Sequence, residues 1–220
     1  RHRAYVKIQD GCVFPCSYCI IPHVRGTLRS RPQNEILDEI ARLVDNGYRE
    51  IVLTGIHLGL YGQGEGEGTL PDLTALVEAV LRHREGFRLR LSSLEVNEVT
   101  DSLLDLMAAM PNRICPHLHI PLQSGSDRIL KRMRRRADVN YFLERCAVIR
   151  EKLTLPALTT DVMVGFPGET DGDFQATCQI VESAGFAKVH IFRFSPREGT
   201  PAAEFPDQVS EKVKKERANA

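Results

Sequence analysis

The chain has 220 residues, 42% of them hydrophobic and 26% charged, which suits one soluble globular domain with a core of its own. Its 29 Lys and Arg balance its 29 Asp and Glu, which excludes a globally basic nucleic-acid binder, so any such surface has to be local. No apolar run approaches a membrane span, no leader-like segment opens the chain, and scattered Cys115, Cys146 and Cys178 fit a reducing, cytoplasmic setting rather than a disulfide framework.

Along the chain, β-rich runs alternate with amphipathic runs. A strand is predicted over 5–9, then a helix over 33–45, where Ile36, Ile40, Leu43 and Val44 recur at three- and four-residue steps and form one apolar stripe. Gly47 follows as the expected C′ residue. Next come a strand over 50–54, a helix over 70–84, a strand over 88–93, a helix over 100–109 and a strand over 117–121. A long helical run over 126–152, interrupted near Asp138, precedes a strand over 160–165, a helix over 170–184 and a strand over 188–194. Such alternation implies parallel βαβ units with right-handed crossovers. The fold class is α/β, and about six units give an open partial TIM barrel, with ligands gathered at the C-terminal strand ends. The glycine-rich stretch Tyr61-Gly-Gln-Gly-Glu-Gly-Glu-Gly68 reads as a strand-to-helix loop; no Gly-Lys-Ser/Thr follows it, and its glutamates would repel a phosphate.

Chemistry concentrates in the loop after the first strand, where Cys12, Cys16 and Cys19 follow a C-x3-C-x2-C spacing. Three thiolates leave one coordination position open, whereas a structural zinc site is closed by four ligands. Thiolates also hold iron–sulfur clusters. His23 keeps a zinc alternative open, since Cys12, Cys16, Cys19 and His23 could close a tetrahedron and make the chain a zinc-stabilised RNA-binding module. Against zinc stand the large core and the other strand ends, each with small and hydrogen-bonding residues: Thr54-Gly55-Ile56-His57, Ser92-Ser93-Leu94-Glu95, Gln123-Ser124-Gly125-Ser126 and Asp161 to Glu169. Singly these are ordinary turns or caps, and Ser124 or Ser126 could simply cap the next helix; jointly they suit a cofactor site.

The cysteine loop, with Tyr18 before its last cysteine, resembles the signature of the radical S-adenosylmethionine (SAM) superfamily. Longer blocks resemble its methylthiotransferase family: Cys16-Ser-Tyr-Cys19-Ile-Ile-Pro22, Arg29-Ser-Arg31, His119-Ile-Pro-Leu-Gln123-Ser-Gly-Ser126, Leu130-Lys-Arg-Met133 and Asp161-Val-Met-Val-Gly-Phe-Pro-Gly-Glu-Thr170. The segment Leu53-Thr-Gly-Ile-His57-Leu-Gly-Leu-Tyr61-Gly62 is similar to the branch acting on threonylcarbamoyladenosine of tRNA. The branches acting on isopentenyladenosine tRNA or on ribosomal protein S12 are the alternatives.

The resemblance implies a 4Fe–4S cluster on Cys12, Cys16 and Cys19, with SAM on the remaining iron and a methylthio group added at carbon 2 of the adenine. It implies Tyr18 near the SAM adenine, Gly55 offering backbone to the methionine amino group, and Glu95, Gln123 and Asp161 as further SAM contacts. It also implies a tRNA anticodon stem-loop and an electron donor protein as partners. The catalytic domain is expected over 1–205 and a charged segment over 206–220 leading to an RNA-binding domain. A second 4Fe–4S cluster is expected in an N-terminal domain lying outside this chain. Lys131-Arg-Met-Arg-Arg-Arg136, with Arg25, Arg29 and Arg31, is read as either a phosphate-contacting surface or a solvated face. His117 and His119 share a strand face and read as packing.

Overall fold

The computed structural model describes residues 2–64 and 70–220, so part of the glycine-rich stretch lies outside the described residues. Seven strands are found among them: β1 (Arg3–Asp10), β2 (Arg29–Ser30), β3 (Glu50–Gly55), β4 (Arg88–Leu91), β5 (His117–His119), β6 (Ala157–Val164) and β7 (Lys188–Arg193). The helices are α1 (Ile21–Arg25), α2 (Gln33–Asp45), α3 (Leu73–His83), α4 (Asp101–Ala109), α5 (Asp127–Arg132), α6 (Val139–Lys152), α7 (Asp171–Ala184) and α8 (Glu211–Asn219).

Strands β1, β3 and β4 pair in parallel, as do β5, β6 and β7. Parallel bridges Leu89–Ile114 and Ser93–His119 join the two sets between β4 and β5. The result is a curled half-barrel with six parallel strands in chain order, as the alternation predicts. Period two is clear in β1, where Ala4, Val6 and Ile8 are buried; β3 is buried on both faces over Glu50–Leu53, with Ile51 and Leu53 in the same core cluster as the β1 residues. Opposite faces carry polar groups, including Thr159, Asp161, His117 and His119.

The helix ends follow their local chemistry. Gly47, at φ 87°, lets α2 end in a Schellman motif, with Gly47 N–H donating to the Val44 carbonyl and Tyr48 N–H to that of Leu43. The expected break near Asp138 separates α5 from α6, where the Asp138 carboxylate caps Tyr141 N–H at 2.8 Å. Ser126 stands at the N-cap position of α5 but makes no cap; its hydroxyl donates to Asp173 at 2.6 Å. No helix among the described residues is long and apolar enough to cross a membrane.

Three elements were not foreseen. α1 and β2 are too short for a period to be read, and β2 pairs antiparallel with the end of β1. Residues 206–220, expected as a charged segment outside the domain, contain α8, which docks on the half-barrel. Lys214 and Arg217 of α8 are buried there.

Candidate functional site

The cysteine loop leaves β1 through a conformation that only glycine tolerates. Gly11 has φ 79°, and a Cβ added there would lie 1.9 Å from the Thr27 carbonyl oxygen. Gln9, buried at the end of β1, clamps this exit: its amide donates to the carbonyls of Asp10 and Gly11 at 2.8 and 2.9 Å and accepts from His57 N–H at 2.8 Å. A buried amide with its groups satisfied locks the loop to the end of β3. Further along, Ser17 is fully buried; its N–H donates to the Met133 carbonyl at 3.1 Å and its hydroxyl to that of Arg132 at 2.7 Å. The loop is thus fixed on both sides. Replacing Gly11 by alanine is expected to cost about 2–4 kcal/mol, from the disallowed φ and the backbone clash. Urea denaturation checks this, and a wild-type midpoint would show that the loop can rearrange freely.

Cys12, Cys16 and Cys19 then line one cavity of about 160 Å³ together with Phe14, Tyr18, Ile21, Ile56, His57, Glu95, Gln123, Arg134, Arg135 and Arg136. The thiols are unequal. Burial pushes those of Cys16 and Cys19 upward. Burial acts the same way on Cys12, but its hydrogen bond to His57 Nδ1 (3.5 Å) and the Phe14 backbone outweigh it, and its thiol lies below the usual range. His57 in turn is pushed up to about 9: burial opposes its charge, and the contacts with Cys12 and Glu98 prevail. Its Nε2 lies 2.5 Å from Glu98, which also accepts from Arg136 at 2.6 Å. Arg136 stacks 3.9 Å over Phe14, whose ring centroid is 5.0 Å from that of His57.

Of the residues singled out by sequence, Cys12, Cys16, Cys19, Tyr18, Glu95 and Gln123 come together at this cavity. Tyr18 rests edge-on against Phe166 at 6.4 Å, and burial pushes its hydroxyl far above the usual range. Gln123 has φ 68°, sparsely populated for a residue with a Cβ. Its backbone nevertheless bridges to β6, its N–H donating to Asp161 and its carbonyl accepting from Met163, both at 2.8 Å. Gly55 and Asp161 are outside the lining. Gly55 ends β3 against the Gln9 side chain, where a Cβ would meet it at 3.0 Å. Asp161 lies 3.2 Å from His119 Nε2, and Thr159 accepts or donates to both His119 and His117 at 2.9 and 3.2 Å. The two histidines pack, as expected, within a hydrogen-bonded set.

The basic run is only partly a solvated face. Arg132 pairs with Asp207, Arg135 with Glu95 and Arg136 with Glu98, while Lys131 and Arg134 are exposed. Partners 38 to 75 residues apart leave no local signal, so sequence reasoning missed Arg135, Arg136, Glu98 and Gln9 as residues of this site. His57 stood in a quoted motif but without a role.

The donor set fits a cluster better than a single ion. Among the described residues no three His, Cys, Asp or Glu side chains are placed to hold one metal ion. A tetrahedral zinc site draws its thiolates to about 2.3 Å from one centre, and this counts against the zinc alternative with His23. A cubane spreads three thiolates over three irons around a shared cavity, and Cys12, Cys16 and Cys19 line one cavity here.

Known proteins give the frame. Residues 6–181 match the family model of the radical SAM superfamily. The chain is 46% identical over 218 residues to threonylcarbamoyladenosine tRNA methylthiotransferase of Thermotoga maritima, covering 99% of this chain and 49% of that protein. It is 44% identical over 223 residues to the enzyme of that name in Bacillus subtilis, covering 100% of this chain and 48% of that protein. Against tRNA-2-methylthio-N(6)-dimethylallyladenosine synthase of Corynebacterium urealyticum it is also 44% identical, over 98% of this chain and 41% of that protein. The chain therefore spans about half the length of these relatives. Among solved structures, the radical SAM methyltransferase TsrM from Kitasatospora setae matches its fold with a TM-score of 0.74 at 16% identity, over 90% of this chain and 38% of that one. Coproporphyrinogen III oxidase from Escherichia coli gives 0.67 at 16% identity, over 99% and 50%. With the half-barrel, the three-cysteine loop and this match in place, the chain belongs to the radical SAM superfamily.

Proposed function

We propose that the chain is the radical-generating core of a tRNA methylthiotransferase, with Cys12, Cys16 and Cys19 each holding one iron of a 4Fe–4S cluster and SAM bound beside it. The observation that carries this reading is the convergence of the three thiols on one cavity walled by Glu95 and Gln123 from two other strand ends. Cluster and SAM together would supply a 5′-deoxyadenosyl radical able to take hydrogen from carbon 2 of an adenine. The chain's own residues bind, orient and shield. Tyr18 and Phe14 wall the cavity against water, and Gln123 lines it from the turn after β5; Gly55, packed on Gln9 outside the lining, is assigned to the methionine amino group by the family resemblance alone. Asp161, held by His119 outside the lining, is kept with Glu95 and Gln123 as a candidate for the remaining methionine and ribose contacts on the resemblance alone.

For the substrate, the segment 53–62 and the two relatives named for threonylcarbamoyladenosine support that nucleoside of the tRNA anticodon stem-loop. The 44% identity to a dimethylallyladenosine synthase supports the second reading. The catalytic unit is taken as residues 1–205 with α8 as its closing element. A second cluster, an RNA-binding domain and an electron donor protein would be supplied from outside this chain. Anaerobic reconstitution with iron and sulfide tests the core of the reading. Cluster-type absorption with 5′-deoxyadenosine formed from SAM is expected; one zinc per chain and no SAM cleavage would refute it. Mass analysis of tRNA from a deletion strain identifies the nucleoside that loses its methylthio group.

A further inference from the structure

Arg135 differs from the other cations of its run in burial and in how it is aimed. Its side chain is only 10% exposed. It grips Glu95 with both nitrogens, Nη1 to Oε1 at 2.9 Å and Nη2 to Oε2 at 2.5 Å, and Nη2 also donates to the Pro121 carbonyl at 3.1 Å. It lines the same cavity as Cys12, Cys16 and Cys19.

The backbone is bent to put it there. At the end of α5, Arg134 N–H donates to the Lys131 carbonyl and Arg135 N–H to that of Leu130. This is a Schellman closure whose left-handed position, normally glycine, is Arg134 at φ 58°. A side chain in that conformation costs on the order of 1 kcal/mol. The same helix end is stitched to the cysteine loop through Ser17 and the carbonyls of Arg132 and Met133. The turn therefore emerges beside Cys16 and delivers Arg135 inward, away from solvent where a phosphate could reach it.

We propose that Arg135 is a positioning residue that fixes a positive charge in the wall of the three-cysteine cavity, with Glu95 as its anchor, and thereby raises the reduction potential of the cluster held there. The inference rests on the reading that the three cysteines carry a 4Fe–4S cluster. One-electron reduction adds one negative charge to the cluster, so a neighbouring fixed cation favours the reduced form. Net charge and hydrogen bonds at the sulfurs are the protein's levers on such potentials. Arginine suits the role because its charge does not depend on pH in the working range and its fork holds a carboxylate in one orientation.

The experiment is potentiometry of the anaerobically reconstituted chain without SAM, poised with dithionite and mediators and followed by electron paramagnetic resonance. Arg135→Gln should move the midpoint to more negative potential, so that at the wild-type midpoint the reduced-to-oxidised ratio falls about tenfold, or about 59 mV for one electron. Glu95→Gln, which removes the offsetting carboxylate and keeps the shape, should move it the other way. Arg135→Lys should stay nearer the wild type than the glutamine variant. If Arg135→Gln does not hold a cluster, the sign of the Glu95→Gln shift decides. Midpoints indistinguishable from wild type, or shifts of one sign in both glutamine variants, would overturn this inference while leaving the cluster reading intact. A wild-type chain that assembles no cluster would overturn both.

Discussion

The Cys16→Ala protein is expected to bind no 4Fe–4S cluster and to form no 5′-deoxyadenosine, while its far-ultraviolet circular dichroism and melting temperature stay close to the wild type. The reason is a division of labour within the loop. What holds the loop in place is Gln9 at one side and Ser17 at the other, through bonds to backbone carbonyls that no cysteine takes part in. Cys16 faces the cavity and is half-buried, and is absent from the buried hydrophobic core. Truncating it removes one sulfur from a site already open on one side, so the packing loss is well below the 2–5 kcal/mol of a large core truncation. A structural zinc centre would behave in the opposite way, because its binding energy is folding energy. Iron and acid-labile sulfide assays on the anaerobically reconstituted variant, beside a thermal melt, separate the two. Retention of a full cluster would remove Cys16 from the site; collapse of the melt would revive a structural metal.

The fold was legible because its signals are local and periodic. Helix α2 was bounded to the residue by its apolar stripe and by Gly47, and the parallel strands β1, β3, β6 and β7 follow runs that carry β-branched residues. The three cysteines were legible for a similar reason: loop ligands for one centre have to be close in sequence. What surrounds them was not. Gln9 looks like any polar residue on a strand, and only the structure shows it bonding three backbone groups at the loop exit. The run 131–136 reads as five like charges, and a local reading has no means to know that Glu95 and Glu98 meet two of them from another strand end. Gly55 and Asp161 were chosen from motif position, and the structure sets both outside the cavity lining, one as a strand end packed on Gln9 and the other as a partner of His119. The charged tail shows the same limit. Helix α8 has the composition of a solvated segment, and burial of two of its cations depends on what the β6–α7 turn presents.

That turn sets the second large expectation: Glu169→Ala should destabilise the chain by about 3–5 kcal/mol, the cost of leaving one partner of a buried ion pair alone. The Glu169 side chain is 1% exposed and that of Arg217 7%, with Nη1 on Oε2 at 2.6 Å. The same carboxylate accepts from Gly165 N–H at 2.6 Å, so it also pins the turn leaving β6. Burial nevertheless holds the Glu169 carboxyl above its usual range, against the pull of the Gly165 N–H and Arg217. The intact pair therefore adds little over an apolar replacement, and the large penalty belongs to the orphan. Arg217 keeps one hydrogen bond, to the Glu169 main-chain carbonyl at 3.2 Å, and as its charged partner only Asp171, whose side chain is 92% exposed and gives a solvent-screened contact. For a chain of this size the loss corresponds to roughly 6–20 °C in Tm. Adding Arg217→Met to Glu169→Ala removes the stranded charge while keeping apolar bulk near Phe174, and the double variant should recover most of the loss. Differential scanning calorimetry of the two single variants and the pair gives the coupling directly. A Glu169→Ala melt within a degree or two of wild type would mean that α8 is held by its apolar contacts alone, and that the domain closes at residue 205 without it.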